Sequence, residues 1–429
     1  MKHWFSDAPS FRRDPLDFVL TRGLSASKPL ERLRLGATPV HLVADPALVK
    51  PILKMDEALI DKGTHIAKLR PVLGDSSLTM SGPEQRQRRG ALHGILARGA
   101  VERLLPELGA EVRSAVATAA GRGRFDAHDL GAALALRLVT TAVFGRNVLS
   151  PADEQAMLMS IRSIEDDIAD EMFRVLPLLP WERRRRDRAR AKARAVMLMI
   201  VGRVRYRAAD TSAMHALNQL GLDDNEMCDE VLTLLIAGHH TTGSTVSWVL
   251  HHLAQDPDLA GEIGLEAENC YGSTGEIEPA GLKAAEFSAA FVRETLRLYP
   301  SAWWFVREAR RDVEFGGEPV AKGSVLMFSP WLYHRDPRHW DEPDTFRIDR
   351  DFGGRAFLPF GAGPRTCVGM GLAMLELQLI AMEFAAAFHM VSSGAGVAMK
   401  PKGSVTLQPP PIMITVEPAA RKRRATCAA

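Results

Sequence analysis

Residues 360–376 read FGAGPRTCVGMGLAMLE, and this stretch places a cysteine just ahead of a predicted helix. Backbone amides at a helix start point toward Cys367, and the helix dipole there favours negative charge. The glycines in this stretch allow the backbone to turn tightly against a flat partner. Arg365 is positioned to meet an anion beside the cysteine. A lone cysteine of this kind is more often a buried cap residue, but the surrounding pattern favours a thiolate that binds a ligand.

Four residues of this stretch, Phe360, Gly363, Cys367 and Gly369, stand at the spacing F-x-x-G-x-x-x-C-x-G. This spacing resembles the haem-binding loop of cytochromes P-450 at every defined position. The resemblance implies haem b, with Cys367 as the axial thiolate ligand of the iron and with Phe360, Gly361 and Gly369 at the cofactor. A thiolate ligand pushes electron density onto the iron and favours O–O cleavage. The resemblance therefore implies a monooxygenase that uses O2.

A second motif, ETLRLYP, lies at 294–300. Glu294 and Arg297 share one face of a helix, and taken alone they form a pair worth a few tenths of a kcal/mol at a surface. The motif lies ahead of the cysteine loop, and in this position it resembles the family's E-x-x-R helix. The resemblance implies that Arg350, in FRIDRDF, is the third member of a structural triad that holds the loop in place.

The third motif, AGHHTT, occupies residues 237–242. It lies in the middle of a long helix, predicted from about Asp223 to Gln255, that is apolar almost all round and hence buried. One interpretation is tight packing at Gly238 with Thr241 bonding back to its own helix. The other is a groove for oxygen and substrate. The motif resembles the family's A-G-x-(acid)-T-(T/S), which implies that Thr241 hydrogen-bonds dioxygen and relays protons.

One position of this motif departs from the family pattern, because His240 stands where most members have Asp or Glu. A histidine shuttles protons near neutral pH. We therefore predict that His240, or a water beside it, passes protons to the dioxygen site. The sterol 14α-demethylase branch also has histidine there, but residues 57–90 contain no Tyr or Phe, in which that branch's substrate loop is rich.

Three arginines match cofactor contacts of the family. The resemblance implies that Arg365, Arg89 and Arg307 meet the haem propionates, since buried carboxylates need cationic partners. Gln85 stands where many members have a histidine that makes a second contact. For each arginine the alternative is exposure to solvent.

The substrate pocket is predicted from the segment SAWWFV (301–306) and from family position. Trp303, Trp304, Ala237 and Val405 are expected to line it, although the tryptophans also suit ordinary core. These side chains favour a hydrophobic small molecule: a terpenoid, fatty acyl, steroid or polyketide compound.

The whole-chain composition suits this interpretation. The 429 residues are 46% hydrophobic and 25% charged with a net charge of +2, as in a soluble globular protein without a nucleic-acid partner. Four widely spaced cysteines exclude a zinc ribbon and a disulfide framework. Neither a signal peptide nor a transmembrane segment is expected, which suggests a cytoplasmic protein.

The predicted fold is mainly α with small β regions: a cytochrome P-450 fold with haem between the long central helix and the cysteine-loop helix. A single haem domain is expected over residues 1–417, β-rich at its amino-terminal end. A disordered basic tail is expected at 418–429.

Electrons are expected from a separate donor, because the chain has no flavin or nicotinamide fingerprint. A ferredoxin and its ferredoxin reductase are the predicted partners, with Arg86 and Arg88 as docking residues. The basic run 181–194 is interpreted as a solvated helix face, with docking as a minor alternative.

Two other haem-thiolate functions are alternatives to the monooxygenase, and a protein without cofactor is rejected. A peroxide-using or dehydrating haem-thiolate enzyme suits the missing acid at His240. A non-catalytic haem-thiolate sensor has no need of the proton relay at Thr241. A helical protein without cofactor fails to explain the agreement of three motifs.

Overall fold

The computed structural model describes residues 5–173, 178–273, 275–393 and 399–419, and most of them are helical. The prediction of a mainly α protein with small β regions is confirmed. The helices of these ranges are α1 (Ala8–Arg13), α2 (Pro15–Leu24), α3 (Val49–Leu53), α4 (Gly63–Ala67), α5 (Arg70–Leu73), α6 (Pro83–Leu96), α7 (Arg98–Val101), α8 (Leu105–Arg122), α9 (Ala127–Phe144), α10 (Pro151–Phe173), α11 (Pro180–Val204), α12 (Ala213–Asn218), α13 (Asp224–Gln255), α14 (Pro257–Cys270), α15 (Pro279–Ala284), α16 (Glu286–Leu298), α17 (Pro330–Tyr333) and α18 (Met370–Ala387).

The strands form one five-stranded sheet and three smaller ones. They are β1 (Leu30–Leu33), β2 (Val40–Val43), β3 (Ile60–Asp61), β4 (Arg124–Asp126), β5 (Phe305–Ala309), β6 (Val313–Phe315), β7 (Glu318–Val320), β8 (Val325–Phe328), β9 (Phe388–Ser392), β10 (Lys402–Gly403), β11 (Leu407–Gln408) and β12 (Met413–Pro418).

The large sheet has the order β1-β2-β8-β5-β3, and within it β2 and β8 are parallel. Strands β1 and β2 pair antiparallel on either side of the Gly36–Pro39 turn, in the amino-terminal part predicted to be β-rich. The sheet joins amino-terminal strands to strands that follow α16. Strands from the amino-terminal β region and from the later β region therefore belong to the same sheet.

Helix α13 runs through the centre of the fold. Asp223 caps it by accepting a hydrogen bond from the Glu226 amide, and Glu226 accepts one from the Asp223 amide, each at 2.8 Å. Its 32 residues extend about 48 Å. A Cβ on Gly131 of α9 would lie 2.7 Å from the Gly243 carbonyl oxygen, so glycine allows α9 to approach α13 closely. The predicted cap and burial of this helix are confirmed.

Two hydrophobic clusters fill the interior. The larger contains the buried faces of α8, α9, α13, α14, α16 and α18, and the smaller lies around the five-stranded sheet, α2 and α17. Helices α9 and α18 are long and apolar enough to cross a membrane, but 72% and 67% of their apolar windows are buried inside the fold. Their apolar character is that of core helices.

Helix α16 begins at Glu286, and it ends at Leu298 because Pro300 disfavours helical backbone before it. One predicted boundary needs correction. The expected tail at 418–429 begins too early, since Pro418 pairs with Phe388 in the sheet. Residues 420–429 lie outside the described residues.

Candidate functional site

The cysteine loop folds back on itself before α18 begins. The Cys367 amide donates to the Phe360 carbonyl oxygen at 3.0 Å, and Gly369 is the N-cap of α18. Gly361 and Gly363 have φ values of 68° and 75°, which favour glycine. A Cβ on Gly363 would lie only 2.5 Å from the Leu53 carbonyl oxygen. Glycine at these positions therefore fixes where the loop presents its cysteine.

The Cys367 side chain lies on the wall of an interior space. It is exposed, yet burial among surrounding atoms raises the pKa of its thiol, and this effect outweighs the lowering by the Gly369 amide and by Arg89. The Gly369 amide and Arg89 favour the thiolate, as the sequence predicts, but they do not offset burial by themselves. A bound metal ion deprotonates a coordinating thiol, so a metal is the partner that would make this cysteine a thiolate.

A metal at this cysteine needs further ligands from outside the protein. Among the described residues, no three His, Cys, Asp or Glu side chains are grouped so as to hold a metal ion. A haem supplies four such ligands from its own ring, which suits an isolated cysteine.

The central helix has accessible surface in the middle of its length. Helix α13 is buried along most of its length, but Ala237 is exposed and Thr241, one turn later, is half-buried. The same helix packs against α18, which follows Cys367. An open helix face, a cysteine loop and flexible glycines are the features that a flat cofactor requires on its two sides.

The hydroxyl of Thr241 bonds back to its own helix. Its Oγ1 donates to the Ala237 carbonyl oxygen at 2.7 Å, as the packing interpretation anticipated. A hydroxyl oxygen retains acceptor capacity in this arrangement. The Thr241 carbonyl accepts from Thr245 Oγ1 at 2.8 Å and from Ser301 Oγ at 2.9 Å. These contacts fix the helix at the threonine and leave the hydroxyl oxygen able to accept a hydrogen bond.

Gly238 serves helix packing. A Cβ at this position would lie 2.6 Å from Cγ2 of Val139 on α9. The absent side chain would thus point to a neighbouring helix. The close approach of α9 and α13 accounts for glycine here, and a part for Gly238 in a catalytic groove stays a prediction.

His240 contacts a carboxylate from another helix, whereas the AGHHTT motif of α13 itself contains no acid. Glu165 of α10 lies with Oε2 3.1 Å from His240 Nε2 and with Oε1 2.9 Å from His239 Nδ1. Burial raises the pKa of the Glu165 carboxyl, but the two histidines outweigh this effect and hold the pKa below its usual value. Sequence reasoning missed Glu165, because no spacing along the chain indicates which residue of α10 faces α13.

The three predicted cofactor arginines converge, and a lysine joins them. Arg89 donates to the Thr366 carbonyl oxygen, and Arg365 donates to Glu57 at 2.7 Å. Arg307 donates to the Val306 carbonyl oxygen at 2.8 Å, and burial lowers its pKa to about 10. These positions exclude the alternative that the arginines are simply solvated.

Lys62 is the member of this cluster that sequence reasoning missed. It is buried, and its ammonium group donates to the Leu78 carbonyl oxygen. Burial, followed by repulsion from Arg365, Arg307 and Arg89, holds its pKa well below the usual value. Four cations that repel one another in a buried place indicate an anionic ligand. The two propionates of a haem fit this requirement.

The Lys62→Met variant tests this requirement. Without the cofactor, the variant should unfold at higher urea concentration than the parent protein, because the change removes a repelled buried charge. With the cofactor, it should lose haem faster, because a cationic partner is missing. Urea unfolding of the haem-free forms and haem transfer to apomyoglobin measure the two effects. Unchanged haem loss would contradict the anion site. Lys68→Met, at an exposed position nearby, is the control.

Arg88 does not face solvent, which corrects its prediction as a docking residue. Its side chain is 2% exposed and contacts Glu226 at 2.6 Å, Glu230 at 3.5 Å and also Glu84. These pairs tie α6 to α13. Arg86 on the same helix is 61% exposed, with Nη1 3.4 Å from Glu57 Oε2, and its docking role stays a prediction.

The Glu294 carboxylate joins the two arginines predicted from the E-x-x-R motif. Arg297 donates to it from Nε and Nη2 at 2.7 and 2.8 Å, and Arg350 from Nε at 3.0 Å. Arg297 also donates to the carbonyl oxygens of His334 and Pro343, both at 2.7 Å. Glu294 and Arg297 are fully buried. The group is thus an internal link between α16 and the segment before the cysteine loop, not a surface pair.

The predicted pocket residues differ in exposure. Trp303 is fully buried and donates from Nε1 to the Ser404 carbonyl oxygen at 2.8 Å. Its prediction as a pocket residue is therefore wrong, and the core alternative applies. Trp304 is half-buried against Trp303, with ring centroids 5.6 Å apart, and Val405 is half-buried as well.

Comparisons with known proteins agree with this geometry. The family model described as Cytochrome P450 matches residues 16–416. Cyclooctat-9-en-7-ol 5-monooxygenase of Streptomyces melanosporofaciens is 28% identical over 88% of this chain and 85% of its own. Cyclooctatin synthase of the same organism is 27% identical over 95% and 92%. Pentalenene oxygenase of Streptomyces avermitilis is 26% identical over 86% and 85%.

Proposed function

The chain belongs to the cytochrome P450 family, as a monooxygenase that uses haem b, and from this premise we propose that it hydroxylates a hydrophobic terpenoid. The observation that carries the proposal is Cys367 on the wall of an interior space beside the buried cluster of Lys62, Arg89, Arg307 and Arg365. Terpenoids are preferred over fatty acyl, steroid and polyketide compounds because relatives are named for cyclooctat-9-en-7-ol and pentalenene.

The residues that would hold the haem have separate roles. Haem b, when bound, supplies activation of O2 and oxygen insertion. Cys367 would provide the thiolate ligand, and the loop residues Phe360, Gly361 and Gly369 would hold the cysteine in position for the cofactor. The cation cluster (Lys62, Arg89, Arg307, Arg365) neutralises the propionates.

Residues at the exposed face of α13 orient the substrate and deliver protons in this proposal. Ala237, with Trp304 and Val405, offers apolar surface that orients the substrate and excludes water. The Thr241 hydroxyl donates to the Ala237 carbonyl oxygen and is left able to accept a hydrogen bond at the open face of the helix. His240 holds the proton that is passed on, as proposed from its place in the motif.

Electrons come from a ferredoxin and its ferredoxin reductase in the cytoplasm, according to this proposal. The exposed Arg86 remains the candidate contact for an acidic donor. A peroxide-using enzyme is less favoured than the sequence alone suggested, because Glu165 supplies a carboxylate where the α13 motif has none.

Three measurements test the proposed function. The reduced protein treated with carbon monoxide should give the absorption spectrum of thiolate-ligated haem. Titration with pentalenene, a fatty acid, a steroid and a macrolactone should give a spin-state change with the terpene at the lowest concentration. Incubation with the terpene, donor proteins and 18O2 should then give a product with one labelled oxygen. Labelled product from another class alone would contradict the terpenoid assignment. Turnover with peroxide but not with O2 would contradict the monooxygenase.

A further inference from the structure

Helices α10 and α13 meet at a carboxylate that two adjacent histidines share. Glu165 on α10 has both oxygens engaged, one by His239 Nδ1 at 2.9 Å and one by His240 Nε2 at 3.1 Å. The Glu165 side chain is 8% exposed, so the contacts are shielded from water. A buried carboxylate held by two donors has a fixed orientation.

The two histidines differ in their exposure. The His239 side chain is 8% exposed, whereas that of His240 is 35% exposed. His240 directly precedes Thr241 on α13, within the stretch where Ala237 is exposed and Thr241 is half-buried. Of the two histidines, His240 therefore combines a contact with the buried carboxylate, accessible surface and a position next to the threonine in the chain.

The contact also determines which ring nitrogen of His240 is free. With Nε2 directed at the Glu165 carboxylate, this nitrogen carries the hydrogen that Glu165 accepts. Nδ1 is then left as the atom that takes up and releases a proton. Without the carboxylate, neither tautomer is selected and the ring is free to rotate. A carboxylate that only joined two helices would not require a partly exposed imidazole next to the threonine.

We propose that Glu165 is a positioning residue that orients His240 for proton delivery at Thr241, in place of the acid that the α13 motif lacks. This inference rests on the proposed monooxygenase function. Monooxygenation consumes two protons per cycle, and for each proton delivered His240 Nδ1 gains one from solvent and releases one toward Thr241, while Glu165 keeps its charge throughout. No electron is transferred at this pair. His239 fixes the second carboxylate oxygen and so holds Glu165 in place.

The Glu165→Gln variant provides the test, because glutamine has nearly the same shape but carries no charge. The haem-loaded variant, supplied with donor proteins and substrate, should release several-fold more peroxide per reducing equivalent than the parent protein. Its solvent kinetic isotope effect should rise. His240→Ala should give a similar peroxide fraction, and the double variant should add little, because the two residues act as one unit. Glu165→Asp should restore part of the coupling.

A readout without turnover completes the test. Nitrogen-15 spectra of the histidine rings in the reduced carbon monoxide complex should show His240 with hydrogen on Nε2 in the parent protein and a mixture of tautomers in Glu165→Gln. Glu154→Gln, at an exposed position on the same helix, is the matched control and should change neither measurement.

The outcomes separate this inference from the proposed function. If the parent protein turns over with O2 and Glu165→Gln releases no extra peroxide, Glu165 is only a structural link and the inference is overturned. A parent His240 with hydrogen on Nδ1 overturns it as well, whether or not turnover is seen. If the parent protein never gives labelled product from O2, the proposed function itself fails.

Discussion

The Cys367→Ser protein is expected to fold but to lose the spectrum and activity of a haem-thiolate enzyme. Serine is close to cysteine in size, and the Cys367 side chain is exposed in the interior space, so the substitution disturbs little packing. A neutral hydroxyl does not push electron density onto iron as a thiolate does. The carbon monoxide complex should therefore lack the long-wavelength band of thiolate ligation. O2-dependent turnover should fall to the background of the haem-free protein.

Circular dichroism, haem content and the carbon monoxide spectrum measure this result. Cys270→Ser is the control, because Cys270 is a buried cysteine at the end of α14. That variant loses stability by about 1–3 kcal/mol if the new hydroxyl lacks a partner, but its spectrum should stay that of the parent. Unchanged optical bands and continued oxidation in Cys367→Ser would mean that another residue binds the iron.

Local signals in the sequence were sufficient for the elements around the site. The capping residues of α13 and the glycines of the cysteine loop act within a few residues of their own position, so spacing along the chain indicated them. The resemblance then placed Glu294, Arg297 and Arg350 in one group, and the structure brings these side chains together.

Contacts between distant segments could not be predicted in the same way. Glu165 and Lys62 each belong to segments whose sequence carries no sign of the partner they meet. The five-stranded sheet likewise depends on β2 lying beside β8, which are remote along the chain. Such pairings follow from the packing of the whole fold.

The type of a side chain also does not predict whether it is buried or exposed. Trp303 and Trp304 are adjacent and identical in type, yet only Trp304 keeps accessible surface. Arg88 and Arg86 lie on one helix, but Arg88 faces the glutamates at the start of α13 and Arg86 faces solvent. Orientation around each element determines these outcomes, and it depends on neighbours that the local pattern does not specify.

Orientation matters most for Arg297, and the Arg297→Ala protein is expected to be strongly destabilised. The substitution removes both hydrogen bonds to the buried Glu294 carboxylate and leaves Arg350 as its remaining arginine. The carbonyl oxygens of His334 and Pro343 also lose their donor. Breaking a buried ion pair in this way costs about 3–5 kcal/mol.

The Arg297→Ala substitution should also weaken the binding of haem. The carbonyls that Arg297 holds belong to the segment between α17 and the cysteine loop, so this segment is expected to detach and the loop to lose its position. Urea unfolding should therefore shift to lower concentration, and haem should dissociate faster than from the parent protein. Arg297→Lys keeps the charge but not the planar fork that makes several hydrogen bonds at once. It should give an intermediate result if the alanine variant does not accumulate.

Arg347→Ala is the matched control because it removes an arginine from the same segment. The Arg347 side chain is 38% exposed and pairs with Asp349 at 2.9 Å, whereas its backbone amide, which the substitution keeps, donates to Glu294. Exposed pairs of this kind contribute little to stability. Equal urea midpoints for Arg297→Ala and Arg347→Ala would mean that the buried triad does not hold the loop. A large difference, accompanied by faster haem loss in the first variant alone, would assign the triad the structural role predicted from its spacing.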